Sequence, residues 1–156
     1  TIAIHRSDQG LMLGYLNAPE ETAAKYDGDW FLTGDMGQMD QSGAVTYAGR
    51  ADDMMNAGGF RVSPIEVEDA LTAHPLIHEC AATEIKIKQD VCVIAAFYTS
   101  ADVIDEAQIT AFCAEILAGY KRPRLFIRVE TLPRGGNNKL LRRILRQDWE
   151  TSHGQA

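Results

Sequence analysis

The chain has 156 residues, of which 46% are hydrophobic and 24% charged, with a formal net charge of -7. These proportions are ordinary for a soluble globular domain, and no apolar run is long enough for a membrane helix. The acidity argues against a nucleic-acid module, but it is uneven: between Lys121 and Arg146 nine Lys/Arg face Glu130 alone, giving +8 there and -15 elsewhere. One basic segment in an acidic chain points to a local anionic ligand. The first six residues show neither a starting Met nor a signal-peptide layout, which reads as a fragment or a processed product, expected in the cytoplasm. Cys80, Cys92 and Cys113 have no metal-ligand spacing and lie in apolar patterns, as expected of buried free thiols in a reducing compartment.

In chain order, residues 1 to 34 read as a short strand at Ile2 and Ile4, a loop, a short helix around 19–25 and a strand at 30–33. Too few apolar residues lie there to close a core, so the stretch reads as the trailing edge of something larger. Residues 36–47 predict a hairpin with Asp40-Gln41-Ser42-Gly43 at its turn, and the polar run 49–53 predicts a linker. Ser63-Pro64-Ile65-Glu66 is a capping box: Ser63 caps, Pro64 takes the first helical position and Glu66 reaches back. That helix should end near His74-Pro75. Strands at 80–88 and 91–98, joined by the polar turn Gln89-Asp90, are expected to pair antiparallel. Ile109, Phe112, Cys113, Ile116 and Leu117 share one helical face, with Gly119 as the C-terminal cap. A third strand is expected at 125–129. The loop 134–138 then leads to a helix with Leu140, Leu141, Ile144 and Leu145 inside and Arg142, Arg143 and Arg146 outside. The fold class is therefore α+β: a small domain at 54–150 with a central three-stranded, mostly antiparallel sheet and flanking helices. A β-rich remnant at 1–49 precedes it, 50–53 link the two, and 151–156 form a tail.

Four places could carry chemistry. Asp35 follows a strand and a glycine, where a carboxylate can accept two hydrogen bonds from a ribose diol; an ordinary turn aspartate looks the same. Gly58-Gly59, ahead of the capped helix, would let backbone approach an anionic ligand, or simply give a flexible connection. Tyr120 among Lys121, Arg122 and Arg124 suits base stacking with phosphate binding, although a solvated basic turn is commoner. Lys139, at the end of a mobile-looking loop, could swing in to neutralise developing charge; alone it reads as a surface lysine.

Taken together, the segments Gly14-Tyr15, Asp29-Trp30-Phe31-Leu32-Thr33-Gly34-Asp35, Gly49-Arg50-Ala51-Asp52-Asp53-Met54 and Gly58-Gly59-Phe60-Arg61-Val62-Ser63-Pro64-Ile65-Glu66-Val67-Glu68 resemble the acyl- and aryl-CoA synthetase branch of the adenylate-forming enzymes. Tyr120-Lys121-Arg122-Pro123, Leu132-Pro133-Arg134 and Lys139-Leu140-Leu141-Arg142-Arg143 continue the likeness in order over nearly the whole chain. The resemblance implies a two-step ligase: acid and ATP give an acyl-adenylate and pyrophosphate, and CoA then gives the thioester and AMP. A C-terminal domain turns between the steps. By position it implies Asp35 and Arg50 at AMP, Asp52 as hinge and Lys139 as the adenylation lysine. Gly58, Gly59 and Arg61 would lie on the CoA side, and Tyr120, Arg122 and Arg124 at CoA's adenine and phosphates. ATP or AMP, CoA and Mg are the implied cofactors, with no Mg ligands in this chain. The implied partners are a small carboxylic acid and the enzyme's own N-terminal domain, without which these residues would be inactive; the oligomeric state stays open.

The pattern departs from the family where Thr is usual at Gly135 and Gly at Asn138, which bears on how the lysine loop is ordered. A Trp-Gly-Glu element between the central strands is also replaced by Glu84–Val91, a shorter turn. Two alternatives remain open: an adenylation domain that loads a carrier protein, and a nucleotide- or CoA-binding module without chemistry.

Overall fold

The computed structural model describes residues 1–88 and 91–153, so the Gln89-Asp90 turn lies outside the described residues. The chain divides into two units, Thr1–Asp52 and Asp53–Ala156.

In the first unit, β1 (Ala3–His5), β2 (Tyr26–Asp27) and β3 (Trp30–Leu32) form an antiparallel sheet in the order β1-β3-β2, with the short helix α1 (Pro19–Ala23) between β1 and β2 in sequence. The hairpin of β4 (Asp35–Met39) and β5 (Val45–Arg50) turns where Asp40 dictates. Its Oδ1 accepts the Ser42 hydroxyl at 2.6 Å and the N–H groups of Ala44 at 3.0 Å and Ser42 at 2.8 Å, and these bonds hold the carboxyl's pKa below its ordinary value. Phe31 is the one large hydrophobic residue buried here among the described residues, in keeping with the sparse apolar content. The expected linker starts later than the sequence implies: Gly49 and Arg50 belong to β5, opposite Met36 and Asp35, because the Arg50 side chain is held on the strand pair.

The second unit opens with a hairpin that sequence patterning does not reveal, β6 (Met55–Ala57) and β7 (Phe60–Val62). Each strand is three residues long, too short for an alternation to register. The turn is Gly58-Gly59, with φ of 58° and 89°; two consecutive left-handed residues are what a two-residue hairpin needs. Helix α2 (Pro64–Thr72) begins as expected, with Ser63 Oγ accepting the Glu66 N–H at 3.3 Å and Pro64 in the first turn. Strands β8 (Glu79–Lys88), β9 (Val91–Thr99) and β10 (Leu125–Arg128) make the central sheet in the order β10-β9-β8. β8 and β9 are antiparallel, whereas β10 runs parallel to β9, reached through the crossover helix α3 (Glu106–Ile116). It is the one parallel pairing among the described residues.

Alternation along the strands divides the core between the two sheet faces. Cys80, Ala82, Ile94, Ala96 and Tyr98 pack with Val67 and Leu71 of α2 and Ile109 and Cys113 of α3. Ala81, Ile85, Ala95 and Phe97 pack on the other side with Leu132 and with Leu145 of α4 (Arg142–His153).

Several expectations fail here. α4 begins only at Arg142, so Leu140 and Leu141 precede it, and it runs on through residues 151–153 of the expected tail; Ile116 of α3 is exposed. Gly119 is not the cap of α3. The helix ends in the extended residue Leu117, and Arg122 donates from Nε to the Leu117 carbonyl at 2.8 Å and from Nη2 to that of Ala114 at 2.9 Å. A cation at the carbonyl end removes the need for a left-handed glycine, and Gly119 instead opens a 3-10 turn over Gly119–Lys121. Arg142 and Arg146 are not outside: Arg142 reaches Glu68 and Asp53, and Arg146 Nη2 reaches Thr83 Oγ1 at 3.2 Å, so only Arg143 of the three is fully on the exposed side. Partners on α2 and β8, which no local pattern shows, draw them in. Finally, Cys92 is exposed, while Cys80 and Cys113 are buried as expected; all three are free thiols.

Candidate functional site

In the first unit, Asp35 opens β4 directly after Gly34, whose φ is 80°. The positive φ requires glycine, and a Cβ there would lie 2.8 Å from Arg50 Nη2, so it would push the guanidinium aside. Arg50, facing Asp35 across the hairpin, donates Nη1 to the Thr33 carbonyl at 3.0 Å and to Asp35 Oδ1 at 3.3 Å, while Nε reaches Asp52 Oδ1 at 3.3 Å. One guanidinium thus gathers Asp35 and Asp52. The Asp35 side chain stays 34% exposed, enough to accept bonds from a bound hydroxyl pair.

In the second unit, a cleft of about 600 Å³ is lined by Gly58, Phe60, Ile87, Cys92, Tyr120 and Arg124, among others. It unites four of the sequence candidates, Gly58, Tyr120, Arg122 and Arg124. The rings of Phe60 and Tyr120 lie 4.6 Å apart at 31°, forming an exposed aromatic pair at the edge of the hairpin. Phe60, Ile87 and Cys92 were not singled out from sequence. Phe60 could have been, as an apolar residue beside a two-glycine turn; Ile87 could not, because it lies in the register shift between Lys86 and Lys88, and Cys92, opposite Lys86, reads as one more residue of an apolar strand. Gly59 and Arg61 do not line the cleft: Arg61 sits next to Phe60 on β7 and points to the other side of the hairpin. A Cβ on Gly58 or Gly59 would meet open space, so positive φ alone requires both glycines.

The basic segment is largely committed to holding the fold. Lys121 pairs with Glu66, which raises the lysine's pKa. Arg122 caps α3, Arg128 bonds the Ser100 and Ala101 carbonyls, Arg134 pairs with Glu79, Arg142 with Glu68 and Asp53, and Arg146 with Thr83. Arg143 has Gln147 at 3.4 Å. Of the nine cations, Arg124 and Lys139 are the two whose side chains have no hydrogen-bond or ion-pair partner among the described residues, and both are exposed.

Lys139 stands on a closed turn, not on a slack loop. Gly135 N–H bonds the Lys139 carbonyl at 2.8 Å, Asn138 N–H bonds the Gly135 carbonyl at 2.9 Å, and Arg134 pairs with Leu140 as an isolated bridge. Asn138 has φ of 60°. The left-handed conformation is one asparagine tolerates best after glycine, so Asn can stand where Gly is usual without disordering the turn.

Residues 66–139 match the family model described as the AMP-binding enzyme C-terminal domain. Residues 66–139 carry an AMP-binding enzyme C-terminal domain. It is 36% identical over 137 residues to the 2-succinylbenzoate–CoA ligase of Bacillus velezensis, covering 88% of this chain and 28% of that protein. An anthranilate CoA ligase solved in complex with anthranoyl-AMP superposes with a TM-score of 0.81 at 36% identity, covering 91% of this chain and 28% of that one. The Bacillus subtilis o-succinylbenzoate CoA synthetase in complex with its acyl-adenylate intermediate gives 0.81 at 32% identity, with 87% and 28% covered. The chain thus spans little more than a quarter of the length of the relatives it matches. Among the described residues no helix is long and apolar enough to cross a membrane, and no group of three or more His, Cys, Asp or Glu could hold a metal ion.

Proposed function

We propose that this AMP-binding C-terminal domain works as part of an AMP-forming acid–CoA ligase in the cytoplasm. An N-terminal AMP-binding domain would supply the remainder of the active site and the Mg ligands. In the first step a carboxylate oxygen attacks the α-phosphorus of ATP and pyrophosphate leaves; in the second the CoA sulfur attacks the acyl carbon and AMP leaves. The observation that carries the reading is the pairing of two cations, unpartnered among the described residues, with two chemically different settings. Arg124 lies in a cleft beside an aromatic pair, suited to a nucleotide bearing phosphates. Lys139 lies on a hydrogen-bonded turn, suited to a single charge placed between a carboxylate and the α-phosphate. The names of the relatives support CoA as the acceptor.

Asp35, steadied by Arg50, would hold the ribose hydroxyls of AMP, and Asp52 would be the hinge position. Gly58 and Gly59 would flank the pantetheine arm, with Arg61 on the phosphate side. Tyr120 and Arg124 would meet the CoA nucleotide. Arg122, whose Nε and Nη2 are engaged on α3, would shape the cleft and add little to CoA directly. The carboxylic acid is a small organic acid whose pocket would lie in the N-terminal domain.

The test is CoA binding by calorimetry to the complete ligase, with Arg124→Ser and Arg143→Ser. The reading expects Arg124→Ser to weaken CoA about tenfold or more, the scale of a lost charge-assisted phosphate contact, and Arg143→Ser to leave it alone. A ligase that ignores CoA but acylates a carrier protein's pantetheine would overturn it in favour of carrier loading.

A further inference from the structure

Arg142 joins three pieces of the second unit that the sequence keeps far apart. It is the first residue of α4, and it sends Nε and Nη2 to the two carboxylate oxygens of Glu68 in α2, at 2.7 and 2.6 Å. Its Nη1 reaches Asp53 Oδ2 at 3.1 Å. Glu68 Oε1 also accepts the N–H of Ala82 in β8 at 2.8 Å. The Arg142 and Glu68 side chains are 15% and 12% exposed. Burial opposes the charge on Arg142, but the two carboxylates outweigh it and hold its pKa above the ordinary value. A forked pair in such a setting fixes direction as well as distance, and removing one partner strands a buried charge.

Its position is what matters. Only Leu140 and Leu141 separate Arg142 from Lys139, and the Leu141 N–H is itself bonded to the Pro133 carbonyl at 2.9 Å, so little slack remains. On the other side of Lys139, Arg134 donates Nη1 to the Asn138 carbonyl at 3.1 Å and pairs with Glu79 of β8. Lys139 is therefore an unpartnered cation on backbone tied down at both ends. Asp53, the third member of the cluster, follows directly on Asp52 in the chain.

From this geometry we infer that Glu68, Arg142 and Asp53 are positioning residues for Lys139, tying the lysine's backbone to the chain just past Asp52. The inference rests on the reading of Lys139 as the adenylation lysine. None of the three needs to touch substrate; they act by holding the lysine turn and the residue after the hinge position as one piece.

The test uses the complete ligase and separates the two half-reactions: pyrophosphate release from acid and ATP, and thioester formation from pre-made acyl-adenylate and CoA. Glu68→Gln keeps the shape of the side chain and removes its charge. The expected result is a fall of about 30-fold in kcat for adenylation, as for a catalytic group displaced by a fraction of an ångström, with KM for ATP moved less than about twofold. Thioester formation should fall less than about threefold, and Arg142→Lys, which keeps the charge and loses the fork, should lie between. A merely structural cluster would slow both half-reactions alike, or neither, and either result overturns the inference. Lys139→Ala is run beside them. If it leaves adenylation unchanged, the reading of Lys139 fails and the inference with it. If it abolishes adenylation while Glu68→Gln leaves the rate within twofold, the inference alone is refuted. Should Glu68→Gln fail to fold, Asp53→Asn decides instead, because it removes one arm at a residue 32% exposed: a several-fold loss confined to adenylation supports the cluster, and equal losses in both steps refute it.

Discussion

Arg122 and Arg124 are two residues apart in a basic run, yet the structure gives them different work, and a pair of truncations separates the two. Arg122→Ala removes two charge-assisted hydrogen bonds, of 2.8 and 2.9 Å, from the last carbonyls of α3. It also removes a cation from the negative end of that helix. The part-buried bond to the Leu117 carbonyl contributes about 1.5 kcal/mol, the exposed one to Ala114 little, and the helix dipole a few tenths further, so the expected loss is about 2 kcal/mol. For a unit of this size that is a fall of about 8 °C in Tm, read by circular dichroism or calorimetry. Arg124→Ala removes no partner in the fold and should leave Tm within about 1 °C. In CoA titrations the order reverses: Arg124→Ala weakens binding about tenfold, and Arg122→Ala changes it far less at temperatures where the variant is folded. The reasoning is refuted if Arg122→Ala melts like the unaltered protein while CoA binding collapses, because the guanidinium would then belong to the ligand and not to the helix.

Other outcomes follow from the same geometry. On the proposed reading, Lys139→Ala in the complete ligase should lower adenylation by about 100-fold or more, the scale of losing one preorganised charge at a transition state, and spare thioester formation from pre-made adenylate; stopped-flow measurement of each half-reaction checks it. Gly34→Ala places a Cβ 2.8 Å from Arg50 Nη2 on a backbone at φ 80°, so it should cost about 2 kcal/mol and weaken AMP binding as Arg50 is pushed from Asp35; urea melts and nucleotide titration report the two effects. Gly59→Ala, with equal φ strain but open space for its Cβ, should cost only about 1 kcal/mol. One thiol, Cys92, should react with iodoacetamide in the native protein, while burial protects Cys80 and Cys113 and pushes both pKa values up. Partial burial and the Glu84 carboxylate also raise the pKa of Cys92, so its thiolate should form at higher pH than in a free cysteine. Mass spectrometry over a pH series should show Glu84→Gln moving that profile to lower pH.

Local sequence determined the elements whose cause is local. The Ser63-Pro64 start of α2, the Asp40 turn, the strands β8 and β9 and the Ile109 and Cys113 face of α3 each follow from residues within a few positions of one another, and all stand where the pattern puts them. The order of the motifs was also enough to point to the domain that residues 66–139 match, because a family likeness is written along the chain. The folded chain decided what depends on partners distant in sequence. Arg142 looks like one more solvent-facing arginine until Glu68, 74 residues away, and Asp53, 89 residues away, are brought to it. The Gly58-Gly59 turn looks like a flexible joint until three residues on each side are seen to pair. Nine cations look like one anion site until most find a carboxylate or a carbonyl, leaving Arg124 and Lys139 open to a ligand. A charge pattern shows how many cations a segment has; only the fold determines which are already neutralised, because Coulomb and hydrogen-bond partners are set by distance in space and not along the chain.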